Sequence, residues 1–443
     1  MMSYKKVHFI EDKNNWIVYY CDTVQYEILN DSQKKCFDYI LQGKSKQEYY
    51  DDYADSDETL YSECEEKLID DSRAMEIPEE KLRITLNVAN SCNMNCGYCY
   101  ANGGTYHSKE NLMSMEVAEK AIDVFAEKYG EIGSVKFIGG EPLLNKKVVC
   151  GLCDYINKKV EDGSLKNMPD FIIATNGTIL DDEIIKYSMN YNWRVGLSFD
   201  GPEVIHNTVR IFKDGSSTVK TIRDNIKRWK EATDGRCPSS VNACFSGVHQ
   251  RNGVTVNDAV KYMMDELKIK KVNIVPVDAS KDSSFALIDD NCFINAIKDT
   301  LSADSVDYRK YMFTKLKRLE KMLRGHYCVS RHICKAGLTT FGVSTKGIIS
   351  PCHMLTDENG FYMGSVFDEN PLSSEVFEQV QSELNKYSRY EDDICKDCFA
   401  NRLCIGCLGG NLFRTGDPYH SDPSVCKMIR GTIEELIKDI LKD

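Results

Sequence analysis

The sequence predicts an α/β protein in which a parallel sheet curls into a partial (β/α)6 barrel. A small β-then-α module comes first and a cysteine-dense segment comes last. Three observations predict it. Apolar or β-branched runs of strand length recur six times between residues 80 and 304, at 82–88, 134–138, 171–175, 195–199, 241–245 and 272–277. Helical patterns separate them, as at 115–129, where Ala118, Ile122, Phe125 and Ala126 share a face. Such alternation implies parallel strands with right-handed crossovers. A chain of 443 residues also exceeds one hydrophobic core, so flanking domains are expected.

Residues 1–75 read differently. The runs 7–10, 16–20 and 24–29 look like short strands, the first two joined by the turn-forming Asp12-Lys13-Asn14-Asn15. Helices are expected at 32–41, 45–53 and 57–68, each opened by Ser or Asp. Residues 305–327 predict a bridging helix with Tyr311, Leu316, Leu319 and Leu323 as apolar positions. Residues 328–426 are cysteine-dense and short of strong periodicity, as expected of a small domain held together by metal, and that domain is bounded at 328–443.

Composition narrows the function. The net charge of −12 with no basic patch argues against a nucleic-acid partner. No apolar run approaches the ~18 residues of a membrane helix, and the first residues carry no signal-peptide pattern, so a cytoplasmic protein is expected. Nineteen cysteines are too many for a reduced compartment unless metal uses them.

The decisive motif is Cys92-x3-Cys96-x2-Cys99, placed directly after the first barrel strand. In parallel α/β sheets that end of the strands binds ligands. Three thiolates can hold three corners of a [4Fe-4S] cubane and leave the fourth iron open to a substrate or cofactor. Three core thiols or a zinc site are the other readings, although zinc ordinarily takes four ligands. The spacing, with Tyr98 just before the third cysteine, resembles that of the radical S-adenosylmethionine (SAM) enzymes. The resemblance implies that a reduced cluster cleaves SAM to methionine and a 5′-deoxyadenosyl radical, which takes a hydrogen atom from an unactivated C–H bond.

Gly139-Gly140-Glu141-Pro142 ends the second strand. Glycines there let backbone approach a ligand, and the carboxylate can accept from a cationic amine. It resembles the family's GGE motif, which implies a contact with the amino group of SAM. By the same resemblance, Asn176-Gly177 and Ser198-Phe199-Asp200-Gly201 line the cofactor, and Arg210 faces its carboxylate and ribose. A surface salt bridge is the plainer reading of Arg210.

Cys334, Cys352, then Cys395-x2-Cys398-x5-Cys404-x2-Cys407, and finally Cys426 form the second signal. The series resembles the SPASM extension of radical SAM enzymes, although the spacing before Cys407 is two residues where three is usual. The resemblance implies two auxiliary [4Fe-4S] clusters, one on Cys328, Cys334, Cys352 and Cys407, the other on Cys395, Cys398, Cys404 and Cys426. A zinc ribbon would use the CxxC pairs but leave Cys334, Cys352 and Cys426 without a purpose. Of the other cysteines, Cys150-x2-Cys153 lies in a helical stretch without a partner pair and reads as buried thiols. Cys21, Cys36, Cys64, Cys237, Cys244 and Cys292 are left without a role. His8, His107, His206, His249 and His326 show no ligand spacing.

Three strands then three short helices describe a small winged-helix-like module, which resembles the RiPP recognition element, the leader-binding module of enzymes that modify ribosomally made peptides; an ordinary N-terminal cap is the simpler reading. Together the resemblances imply a peptide maturase that installs a thioether or carbon–carbon crosslink, with a precursor peptide and an external reductant such as flavodoxin or ferredoxin as partners. An anaerobic sulfatase maturase is the alternative of the same class. Those enzymes carry Asp after the cysteine matching Cys352, and here the string is Cys352-His353-Met354-Leu355. His353 would be a proton acceptor or a donor beside the cluster. A non-catalytic electron carrier or zinc-binding adaptor is the alternative of another class; it accounts for the cysteines but not for the strand-end loops.

Overall fold

The computed structural model describes residues 4–442 except Asn14, 70–80, His107, 280–281, 303–308, Ser330 and Ile333. The parts of the N-terminal, bridging and histidine expectations that fall on these positions lie outside the described residues.

Strands β1 (Val7–Asp12), β2 (Asn15–Tyr20) and β3 (Gln25–Leu29) form an antiparallel sheet in that order, followed by α1 (Asp31–Leu41), α2 (Lys46–Asp52) and α3 (Leu60–Leu68). Asn30 and Ser45 open α1 and α2 with reciprocal capping boxes, which satisfy helix-end N–H groups that have no partner within the helix. The two-residue period of the strands splits the sheet between two cores. Val18, Tyr20 and Leu29 pack with Phe37, Tyr49 and Leu68 of the helices, whereas Ile17, Tyr19 and Cys21 join the core of the main body. The third helix begins at Leu60, three residues after the expected Asp57, because that side chain caps the preceding turn through Thr59.

The barrel strands are β4 (Arg83–Ala89), β5 (Ser134–Gly139), β6 (Asp170–Thr175), β7 (Arg194–Ser198), β8 (Ser240–Phe245) and β9 (Val272–Pro276), each parallel to the next. Between and after them run α4 (Met115–Tyr129), α5 (Lys146–Glu161), α6 (Asp182–Asn190), α7 (Glu203–Val209), α8 (Val219–Ala232), α9 (Gly247–Arg251), α10 (Val256–Leu267) and α11 (Cys292–Ser302). Alternation again decides the faces. Val135, Phe137, Val241, Ala243, Phe245, Val272 and Ile274 pack in the main core, while the intervening Lys136, Asn242, Cys244 and Asn273 turn to the other face of the sheet, its concave side. Cys150 and Cys153 are buried on α5, as expected of core thiols.

The bridging helix is the shorter α12 (Thr314–Arg324), and the C-terminal part departs from expectation. Beyond it, β10 (Thr340–Val343) pairs in parallel with β4, and β11 (Ile349–Ser350) pairs antiparallel with β10. The sheet therefore has eight strands in the order β11-β10-β4-β5-β6-β7-β8-β9. The remaining helices are α13 (Glu375–Lys386), α14 (Leu408–Thr415) and the 18-residue α15 (Pro423–Ile440). On α15, Ile429, Ile433, Leu436 and Ile437 recur at helical spacing and are buried in the main core, in contact with α11 and α12. Apolar burial thus anchors the chain beyond residue 426, past the cysteine-dense stretch expected to be held by metal. No helix among the described residues is long and apolar enough to cross a membrane.

Candidate active site

The loop after β4 carries Cys92, Cys96 and Cys99, and a second segment zips along it. Asn95 and Gly97 donate backbone hydrogen bonds to Ile211 and Val209, and Lys213 donates to Asn93. This pairing sets Arg210, just beyond α7, beside the loop, with Arg210 Nη1 4.0 Å from Cys96 Sγ. On the other side Asn176, at the end of β6, donates to Asn93 Oδ1 at 2.8 Å and lies 3.8 Å from Cys92 Sγ. The thiols sit close enough to feel one another's charge; burial pushes Cys92 up to about 12 and raises Cys96, against the pull of Arg210.

Glycine is required here by packing. A Cβ on Gly140 would lie 2.4 Å from the Ser91 carbonyl oxygen, and one on Gly104, whose φ is +94°, would lie 2.5 Å from Gly140 Cα and 3.1 Å from Cys92 Cβ. Gly139 has the same constraint against Ala89. Glu141, for which the resemblance implies a contact with the amino group of SAM, is held by its own neighbours. It is fully buried, and it accepts from Leu143 N–H (3.0 Å), the Thr175 hydroxyl (2.7 Å) and Asn176 N–H (2.7 Å). Burial pushes it up to about 7 against those three hydrogen bonds. Its work in this fold is to tie the ends of β5 and β6 together beneath the cysteine loop.

The fourth strand end is held more tightly than its sequence indicated. Asp200 is fully buried and receives the Tyr98 hydroxyl, Arg210 Nε at 2.9 Å and Cys244 N–H at 3.0 Å. Burial works against its charge, but Arg210 foremost, with His206 and these hydrogen bonds, holds the carboxyl below the usual range. The Arg210 guanidinium also lies over the Tyr98 ring, 5.4 Å from its centroid. Ser198 ends β7 half-buried, in register with Asn242, and no side-chain hydrogen bond ties it to this network among the described residues.

Two histidines that the sequence left without a role clamp the Asp200 backbone. His206 Nδ1 accepts from Asp200 N–H at 3.3 Å, so Nε2 carries the proton and donates to Thr218 Oγ1 at 3.0 Å. The Thr218 hydroxyl in turn donates to the Arg210 carbonyl at 2.8 Å. His249 Nδ1 accepts from Ser246 N–H, so its Nε2–H donates to the Asp200 carbonyl at 2.6 Å. Burial holds both rings neutral, with His206 pushed down to about 3. Neither histidine has a ligand spacing, so only tertiary contact reveals them; a His and an Arg downstream of SxDG were the one sequence signal.

The C-terminal cysteines gather in two groups. Cys334, Cys352 and Cys407 are mutual electrostatic neighbours, and Cys328 lines the same cavity of about 600 Å³. Cys395, Cys398, Cys404 and Cys426 are neighbours in the same sense. In a chain of net charge −12, the cavity wall holds five Lys or Arg, two His and five Cys, and no carboxylate. Such a wall suits an anionic occupant. All 19 cysteines are free thiols. The three thiols of the strand-end loop suit three corners of a four-iron cubane, which would leave one iron open.

Known proteins agree with this geometry. The family model described as "Radical SAM superfamily" matches residues 86–243. The radical SAM cyclopropyl synthase TigE of Paramaledivibacter caminithermalis is 25% identical, over 98% of this chain and 87% of that protein. A cysteine-type anaerobic sulfatase-maturating enzyme of Clostridium perfringens is 31% identical, over 72% of this chain and 86% of its own length. Streptococcus suis SuiB, solved with its precursor peptide SuiA, shares the fold with a TM-score of 0.55 at 15% identity, covering 96% of this chain and 100% of that one. The chain therefore belongs to the radical SAM superfamily, whose members use a [4Fe-4S] cluster and S-adenosylmethionine.

Proposed function

We propose that this enzyme modifies a ribosomally made precursor peptide, holding a leader segment on its N-terminal module and installing an oxidative crosslink, thioether or carbon–carbon. The observation that carries the reading is the module. Among the described residues, β3 of its three-stranded sheet has a strand neighbour on one side only, and three helices follow, the pattern that resembles a RiPP recognition element. A peptide can add to such an edge through main-chain hydrogen bonds, and Ile28, 48% exposed on β3, offers it an apolar contact. The breadth of the match to TigE and to SuiB, the latter solved with a precursor peptide, supports this reading. A sulfatase-maturase activity is the second reading, favoured by the 31% identity to the Clostridium perfringens enzyme. His353 in place of an acid after Cys352 weighs against it.

Cys92, Cys96 and Cys99 would hold the cluster that meets SAM, which when bound supplies a carbon radical able to take a hydrogen atom from an unactivated C–H bond. The protein's part is orientation and enclosure. Arg210, fixed by Asp200 and turned over Tyr98, offers a cation at the mouth of the barrel for an anionic group of the cofactor. Gly139, Gly140 and Asn176 shape the floor beneath it. Forming a crosslink removes two hydrogen atoms from the peptide, two protons and two electrons in all. One leaves as the hydrogen atom taken by the carbon radical, the other as a proton with its electron passed to an auxiliary centre. Two auxiliary clusters, on Cys328, Cys334, Cys352 and Cys407 and on Cys395, Cys398, Cys404 and Cys426, belong to this reading. So do a flavodoxin- or ferredoxin-like reductant and a cytoplasmic location, where 19 thiols stay reduced.

The test is mass spectrometry of a precursor incubated with the reconstituted enzyme. A product lighter by two hydrogens, formed with the leader attached and lost in the Ile28→Asp variant, is expected. Equal modification of a leaderless peptide would defeat the leader reading. Conversion of a short sulfatase peptide to formylglycine would favour the second.

A further inference from the structure

Arg389 is the largest side chain buried to 2% exposure or less in this protein, yet it belongs to neither cysteine group nor any expected motif. Its guanidinium donates through Nη1 to the Asn401 carbonyl at 2.9 Å and to the Cys404 carbonyl, and through Nη2 to the His332 carbonyl. Its Nε is buried with no acceptor. No carboxylate among the described residues pairs with it. A buried, uncompensated cation is costly, since its charge has left water without meeting a counter-charge. Its bond to the Cys404 carbonyl ties it to one C-terminal group, and it lines the cavity that holds Cys328, Cys334, Cys352 and Cys407 of the other, so Arg389 stands between the two.

We propose that Arg389 is the counter-ion shared by the two auxiliary centres and that it sets their reduction potentials. This rests on the auxiliary-cluster reading above. An iron–sulfur centre ligated by four thiolates is anionic, and reduction adds one more negative charge. A fixed cation beside it stabilises the reduced form and raises the potential. Among the described residues the wall of the neighbouring cavity carries no carboxylate; Asp392, which accepts from Cys395 N–H at 2.7 Å, stands on the side of the second group. The three carbonyls hold the guanidinium in place; they do not neutralise it. Arg389 is a positioning and tuning residue, since it reaches the ligand loops through their backbone.

EPR-monitored reductive titration of anaerobically reconstituted full-length protein tests this, with iron content measured on each sample. Arg389→Met should lower the auxiliary midpoint potentials. Arg389→Lys, which keeps the charge, should lower them much less, and the Cys92 cluster should titrate as in wild type in both. Unchanged auxiliary potentials in an iron-replete Met variant would overturn the proposal. Should the Met variant fail to load iron, the Lys variant decides: near-wild-type potentials support the charge, and a large fall overturns it. Wild-type protein without auxiliary signals would overturn the cluster reading and this proposal with it.

Discussion

The two cysteine-bearing regions are built on opposite plans. The Cys92–Cys99 loop stands on strand ends. Glycines without room for a Cβ, a buried glutamate and a buried Asp200–Arg210 pair fix it before any ligand arrives. Most of the C-terminal cysteines sit in loops beside a cationic cavity, and among the described residues Arg389 has no carboxylate partner. The first region compensates its charges internally and is a preformed cradle. On the auxiliary-cluster reading proposed above, an anionic centre would compensate the second and supply part of its stability.

The largest expected effect separates the two regions outright. Replacing Cys92, Cys96 and Cys99 together by Ala should abolish SAM cleavage while the C-terminal centres remain, a loss of about four irons in roughly twelve. Iron analysis and SAM turnover on the same sample check it. Loss of all iron would show that the regions depend on each other.

The next effect lies inside the cradle. Asp200→Asn leaves a buried Arg210 without its carboxylate, which should cost about 3 kcal/mol of stability and weaken SAM binding. Thermal unfolding and equilibrium dialysis measure the two effects. An unshifted Tm would mean that the pair is not compensated as described.

The smallest effect is pH-dependent. His206 is held neutral, at about 3 against an ordinary 6.5, so between those values the unfolded chain binds the extra proton. Its stabilising contribution is complete above about 6.5 and is lost as the pH falls toward 3. The stability advantage of wild type over His206→Gln should therefore shrink below pH 6.5 in unfolding scans. An advantage that stays constant down to pH 5 would place the imidazole elsewhere.

Much of the barrel was legible in the sequence. The six apolar runs match strands to within a residue or two, as with 134–138 against Ser134–Gly139, because a strand buried on one face by helices must carry β-branched residues there. The cysteine loop was legible for a different reason, since its ligands lie within nine residues. What escaped acts across long separations. His249 and Cys244 meet at Asp200 only after β7 and β8 pair, and Arg389 meets His332 only in the folded loops. The motif reading of Glu141 named a residue whose hydrogen bonds to Leu143, Thr175 and Asn176 the sequence did not show, because they join two strand ends. The apolar positions of α15 were periodic all along; the expectation of a metal-held domain gave them no weight.

The most direct test of the central claim is the response of the reduced, iron-replete protein to SAM, followed by EPR. One cluster signal should change on addition of SAM while the others stay fixed, and that response should vanish in the variant lacking Cys92, Cys96 and Cys99. A SAM response that survives in that variant, or none in the wild type, would contradict the assignment of the open-iron site to the strand-end loop.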